Sequence, residues 1–315
     1  MRVAVIINPA SGSSSHPPLE DRVDLARRVL RAEGAEGDVR VSERPGHARA
    51  LAVEAVRLGA QIVFAWGGDG TVNEVGSALA FTNAGLGIIP RGSGNGLARE
   101  LRLSWRPEDA IRGALRGRDL WMDAGELGGR LFFNIGGLGF DAHVAGLFNA
   151  LPQGRRGGRP YVTITLRQVF SYRPARYRVS LDGERHDGEY FTIVLANSCQ
   201  FGNRIRIAPE ARIDDGFLNA VLVDDRSIPA HFWRARHLLG DPRRAEGVLR
   251  QPVRHIVIEG PADTPCQVDG ESFTAGPRIE AMVHPGVVRL RVPDRPCDCR
   301  ISGLHIVGLR GPHQS

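Results

Sequence analysis

Residues 67–71 read Gly-Gly-Asp-Gly-Thr, directly after the apolar run of residues 61–66 and directly before a stretch with helical spacing. Glycines at the end of a strand let main-chain N–H groups come close to a ligand, and the helix start adds free N–H groups with partial positive charge. That combination suits a phosphate. Asp69 would repel a phosphate unless a hard cation such as Mg²⁺ stood between them, directly or through water. Thr71 can cap the helix and donate to a phosphate oxygen, although a turn of this kind also serves simply to cap a helix. Two further turns have the same character: Asn-Pro-Ala-Ser-Gly at 8–12 and Arg-Gly-Ser-Gly-Asn at 91–95, each at the end of an apolar run. Three glycine- and hydroxyl-rich turns leaving one sheet edge favour a polyphosphate site over three unrelated caps.

Carboxylates in the second half of the chain can supply a general base, which a hydroxyl nucleophile needs as its new bond forms. Asp269 and Glu271 stand two apart in Gln-Val-Asp-Gly-Glu-Ser-Phe. On an extended segment they point to one side, one as base and the other orienting it or binding metal. Asp-Gly is equally a hairpin signal, and the same Asp-Gly-Glu recurs at 182–184, where it reads as a surface hairpin. Asp214 and Asp215, in Ile-Asp-Asp-Gly, read by themselves as a turn with two solvated carboxylates. Asp123, beside Met122 in an apolar strand, needs partners if it is buried.

Composition removes several mechanisms. The chain has 315 residues, a formal charge of +6 and no lysine, so all 41 basic residues are arginine. A P-loop lysine, a protein-kinase strand lysine and a Schiff base are therefore excluded. The first loop lacks G-x-G-x-x-G and no acid closes the second strand cleanly, Glu43 being the nearest, which disfavours a Rossmann dinucleotide site. Aromatics make up 6% and do not interleave with basic runs, which argues against nucleic acid. No apolar run reaches the ~20 residues of a membrane-spanning helix, and the amino terminus reads as a first buried strand. Four scattered cysteines, Cys199, Cys266, Cys297 and Cys299, read as ordinary cytosolic thiols.

The elements that must position these residues alternate in the first third: strand, helix near 19–32, strand, helix near 46–58, strand 61–66, helix near 71–80, strand, and a helix opened by residues 91–103. This βα rhythm predicts a doubly wound parallel sheet. Beyond Trp121 short strands dominate, with helical stretches near 141–150, 161–171 and 228–239, which predicts a β-rich second domain. The expected division is 1–122 for the α/β domain and 123–299 for the β-rich domain, with the tail 300–315 packing back on the first. Phe132, Phe133, Ile135, Leu138, Phe140 and Leu147 can line an acyl-chain pocket or be plain core, and the loop holding Arg155, Arg156 and Arg159 can rest on anionic headgroups or be solvated.

Together, Ile-Ile-Asn-Pro-Ala-Ser-Gly, the Gly-Gly-Asp-Gly turn and Gly-Ile-Ile-Pro-Arg-Gly-Ser-Gly-Asn resemble the catalytic domain of the diacylglycerol kinase and sphingosine kinase family, whose fold is similar to that of NAD kinases and phosphofructokinases. Segments 208–223 and 267–273 extend the resemblance over nearly the whole chain. It implies nucleotide contacts at Asn8, Pro9, Ser11, Gly12, Ser42, Gly67, Gly68, Asp69, Gly70, Thr71, Asn73, Ser93, Gly94 and Asn95. It also implies Glu271 as general base, Asp69 and Asp123 in the network holding a catalytic Mg²⁺, and a structural metal on the Asp215 side chain and the Arg212 and Phe217 carbonyls. Gly96 stands where many bacterial diacylglycerol kinases have aspartate; sphingosine kinases also lack an acid there. The implied activity is transfer of the ATP γ-phosphate to a lipid hydroxyl, with soluble small-molecule phosphorylation or a silent nucleotide- or lipid-binding role as alternatives. The expected partners are a lipid substrate, an anionic membrane surface touched from the cytoplasm and a possible second copy in a homodimer.

Overall fold

In the computed structural model, residues 1–12, 17–152, 158–199, 207–224 and 247–294 are described. Four strands, β1 (Arg2–Ile7), β2 (Glu36–Val41), β3 (Ile62–Gly67) and β4 (Gly85–Pro90), run parallel in the order β4-β3-β1-β2. They alternate with α1 (Leu19–Ala32), α2 (His47–Arg57) and α3 (Asp69–Leu79), followed by a short α4 (Gly96–Glu100) and α5 (Pro107–Arg116). β1, β3 and β4 are apolar on both faces because helices cover both. Ala4, Ile6, Val63, Ala65 and Leu86 meet α2 and α3. Val3, Val5, Ile7, Phe64, Trp66 and Ile89 meet α1 and α5. Of these helices, α5 has no counterpart in the expected pattern. Its Pro107 near the start and its buried Ala110, Ile111 and Ala114 are the signals that mark it.

The second half is sheet-rich. Its strands are β5 (Arg118–Leu127), β6 (Arg130–Phe132), β7 (Ile135–Gly139), β8 (Ala175–Leu181), β9 (Glu184–Ala196), β10 (Leu218–Asp224), β11 (Val248–Val253), β12 (His255–Glu259), β13 (Thr264–Val268), β14 (Glu271–Ala275) and β15 (Arg278–Val292). Helices α6 (Phe140–Asn149) and α7 (Gly158–Gln168) lie between β7 and β8. β15 joins the halves: it pairs parallel with β4 at Arg289 and Leu290, and antiparallel with β5 and β12. The strand order is therefore continuous from β14 through β15 to β2. The expected boundary at 122/123 falls inside β5. The expected helix near 228–239, the Arg155 and Arg156 loop, Cys297, Cys299 and the tail 300–315 lie outside the described residues, as does the Arg159 side chain.

A second core forms in the sheet-rich half, with Leu127, Phe132, Leu138, Ile193, Leu195, Leu222 and Ile258. Phe132, Phe133, Ile135, Leu138 and Phe140 are all buried, so they are core side chains, and Leu147 alone of that set is exposed.

Candidate active site

The turn after β3 is built by close backbone approach. A Cβ on Gly68 would stand 3.1 Å from Gly92 Cα, and one on Gly92 would stand 2.6 Å from Gly68 Cα, so the second and third glycine turns can touch only as glycines. The first turn joins them through Asn8, whose Nδ2 donates to Thr71 Oγ1 at 2.9 Å. Thr71 is buried and accepts this bond instead of capping α3, whose N-cap residue, Gly68, has no side chain to offer. Ser11 Oγ donates to the Asn8 carbonyl, and Ser42 is buried with its N–H on the Ile7 carbonyl. Pro9, Gly12 and Ser93 are exposed at the same sheet edge, with Gly67, Gly70 and Gly94 between them.

Asp69 is a staple within this cradle. Its Oδ2 accepts the Asn95 N–H at 2.8 Å and its Oδ1 accepts the Gly96 N–H at 2.7 Å. Burial pushes its pKa up, against those two bonds. Asn95 sits in the left-handed region at φ 51° and folds its own amide onto Gly92, accepting that residue's N–H at 2.7 Å. Arg99 Nε closes the turn on the Gly94 carbonyl at 2.8 Å.

The second domain brings a hairpin to this cradle. Asp269 (φ 47°) and Gly270 (φ 87°) are the two-residue turn between β13 and β14, with Val268 paired to Glu271. Asp182 (φ 49°) and Gly183 (φ 94°) make the same turn between β8 and β9. The expectation of an extended Asp-Gly-Glu segment is thus corrected, because both copies are hairpins. What differs is the target of the glutamate. Glu184 lies at the surface near His186. Glu271 points its Oε1 to within 3.0 Å of where a Cβ of Gly70 would be, at the first turn of α3.

Asp269 does not stand free beside it. Its Oδ1 accepts the Asn134 and Ile135 N–H groups, and its Oδ2 accepts the Phe133 N–H and Asn73 Nδ2, all at 2.8–3.0 Å. Burial raises its pKa, opposed first by the Asn73 bond. Asp182 holds the Arg254 and His255 N–H groups in the same manner. With four donors on two oxygens, Asp269 fastens α3 to the segment before β7. Asn73, expected at the nucleotide, spends its amide on Asp269 and the Leu131 carbonyl.

Asp123 is a third staple. It is 2% exposed, and its two oxygens accept the Gly216 and Gly286 N–H groups, both at 2.7 Å. Asp214 pairs with Arg212, and Asp215 Oδ1 accepts the Phe217 N–H. Burial raises the pKa of Asp123 and of Asp215; the Asp214 charge adds to both, and the Asp123 charge adds to that of Asp215. A β5 carboxylate beside a turn with two more, their charges repelling, is a donor set suited to a hard cation. Among the described residues, however, no three His, Cys, Asp or Glu side chains converge as a ready metal cage. Asp69 and Asp123 are committed to different backbone pairs.

The residue that sequence reasoning missed is Asn134. Its N–H is held by Asp269, its carbonyl accepts the Asn197 N–H, its Oδ1 accepts from Ser198, and its Nδ2 lies 2.1 Å from where a Cβ of Gly96 would be. A lone asparagine ending the Phe132-Phe133 run was the available signal. Gln267, another omission, accepts the Gly270 N–H and donates to Asp141.

A glycine-rich cradle on an α/β sheet is thus met by a carboxylate from a hairpin of the sheet-rich half. The Diacylglycerol kinase catalytic domain matches residues 2–127, and the YegS C-terminal NAD kinase beta sandwich-like domain matches residues 135–292. A protein of Chromohalobacter salexigens described as "Probable lipid kinase YegS-like" is 33% identical over 90% of this chain and 92% of its own length. One of Pseudomonas aeruginosa with the same description is 30% identical over 87% and 90%. Among solved structures, a diacylglycerol kinase from Bacillus anthracis shares the fold at TM-score 0.70 and 17% identity, covering 92% of this chain and 96% of that one. An NAD kinase from Archaeoglobus fulgidus solved with ATP shares it at TM-score 0.54 and 13% identity, covering 93% and 94%. The chain belongs to the YegS-like lipid kinase family.

Proposed function

We propose that this protein transfers the γ-phosphoryl group of ATP to a hydroxyl of a lipid such as diacylglycerol or a sphingoid base, with Glu271 as the general base. One observation carries the reading: the Glu271 carboxylate crosses from the β14 hairpin to Gly70, beside Asp69, at the mouth of the glycine cradle. Phosphoryl transfer asks mainly for position and charge neutralisation. The three turns hold the phosphates on N–H groups. Glu271 takes the proton of the acceptor hydroxyl as its oxygen attacks in line, and ADP departs. Mg²⁺ would be held at Asp69 on the phosphate side and at Asp215 with the Arg212 and Phe217 carbonyls beside Asp123, supplying charge neutralisation when bound.

Membrane contact is part of the same proposal. α7 turns Val162 and Leu166 outward one helical turn apart, and Phe170 extends the stripe, at 45–53% exposure. α6 packs against α7 and bonds the Glu271 hairpin through Asn149 Nδ2 on the Gly270 carbonyl at 2.9 Å. A bilayer under α7 would bring the acceptor to the base. No helix among the described residues is long and apolar enough to cross a membrane.

The test is incubation with γ-labelled ATP, Mg²⁺ and mixed micelles of diacylglycerol, monoacylglycerol, ceramide and sphingoid bases. Label in the organic phase supports the reading and names the acceptor. Label appearing only in a water-soluble product when NAD or sugars are added would replace it with a small-molecule kinase.

A further inference from the structure

A second feature of the sheet edge is not used by the reaction above. β3 and β4 end side by side with Trp66 opposite Ile89, both facing the α1 and α5 layer, and Arg91 follows two residues after Ile89. From α1, Arg22 enters the same layer with Ala26, Val29 and Leu30, and is 7% exposed. Its guanidinium makes two long bonds, both 3.4 Å, to the Asn8 and Pro9 carbonyls of the first turn. Arg22 Nε, Arg91 Nε and the Trp66 indole Nε1 are all buried, and none has an acceptor.

Three buried donors with no acceptor are unusual, and two of them belong to cations. Neither arginine has an ion pair among the described residues. Both arginines stand at the end of β3: Arg22 bonds the first turn, whose Asn8 N–H meets the Trp66 carbonyl at 3.0 Å, and the Arg91 N–H meets the Gly67 carbonyl at 2.8 Å. Burial lowers the pKa of each, and the Arg22 charge lowers that of Arg91 further. Water can satisfy the donors but not the paired positive charge. A tetrahedral oxyanion does both, because arginine forks match its oxygens.

We propose that Arg22, Arg91 and the Trp66 N–H form an oxyanion site that takes a phosphate group, supplied either by the donor nucleotide or by free inorganic phosphate. In its nucleotide form the site rests on the ATP reading above; in its free form it does not. The Asn8 and Pro9 carbonyls tie it to the first glycine turn, so its occupancy would firm that turn.

Arg91 is the residue to change, because its buried Nε has no acceptor and its side chain has no ion pair among the described residues. R91M and R91Q are compared with the wild type by thermal melting and titration calorimetry, using inorganic phosphate, AMP and ATP as probes. Phosphate is expected to raise the wild-type Tm and leave both variants unmoved. Without phosphate, the variants melt at or above the wild type, since a buried repulsion is gone. A nucleotide phosphate at the site appears as a roughly tenfold loss of ATP affinity with AMP unchanged, and as competition between phosphate and ATP. A free phosphate appears as unchanged ATP affinity with the phosphate shift still confined to the wild type. Equal responses of wild type and variants to both phosphate and ATP overturn the site. Failure of the wild type to bind ATP would count against the kinase reading instead, and the phosphate arm would still decide this one.

Discussion

Gly96 and Asn134 compete for one volume: a Cβ on Gly96 would lie 2.1 Å from the Asn134 amide nitrogen. The position where many diacylglycerol kinases have an acid is here closed by an amide from the second domain. G96D should therefore destabilise the protein by about 2–3 kcal/mol through overpacking. The double variant G96D/N134G should recover most of that loss, since the two residues are in contact and couple. Chemical denaturation of the four proteins measures the cycle, and additive losses would contradict the shared volume.

Asp269 is fixed by four donors, and the structure gives it a fastening role. D269N turns an amide donor toward main-chain N–H groups and should cost about 2–4 kcal/mol of stability. D182N, at the matching surface hairpin, should cost less, because Asp182 is exposed. Urea midpoints of the two variants check this order; equal losses would remove the argument from burial.

The pH dependence of stability should carry a signature of Asp141. Its carboxyl is buried against Gln267 and Thr192, and burial pushes its pKa up to about 6 from 3.8. A raised acid binds more protons folded than unfolded, so its contribution is most favourable below the unfolded pKa and is lost as pH rises toward the folded one. D141N abolishes that titration. Relative to wild type, D141N should gain about 1 kcal/mol between about pH 5 and about pH 7.5 and nothing more above that. A constant difference across this range would mean that Asp141 titrates normally.

The exposed stripe on α7 predicts reversible membrane binding. Replacing Leu166 and Phe170 by aspartate should lower sedimentation with phosphatidylglycerol vesicles at least several-fold and leave the Tm within a few degrees, because both side chains are about half exposed. Phosphorylation of a short-chain, water-soluble acceptor should be unchanged in the same variant. Unaltered vesicle binding would place the contact elsewhere.

Much of this was legible in the residues because it rests on local rules. Parallel strands buried on both faces give continuous apolar runs, as in 61–66, and glycines between strand and helix mark the cradle. The roles of the carboxylates were less legible. Asp69, Asp123 and Asp269 all read as chemistry, yet each is bonded to backbone N–H groups from segments 26 to 163 residues away. Such donors have no spelling in sequence. The two Asp-Gly-Glu hairpins show the limit most clearly: their turns match, and only the tertiary partner of each glutamate separates them. Arg22 and Arg91 were invisible for the same reason, since a buried arginine without an ion pair among the described residues is recognised only when its surroundings are known.

Glu271 carries the central claim, and one substitution tests it directly. E271Q keeps the shape and removes the proton acceptor, at a surface position where folding does not depend on the charge. Measured with the lipid acceptor that labels best, its kcat should fall by about 10²–10⁴-fold, with ATP affinity and Tm unchanged. Turnover by E271Q at the wild-type rate would contradict the account.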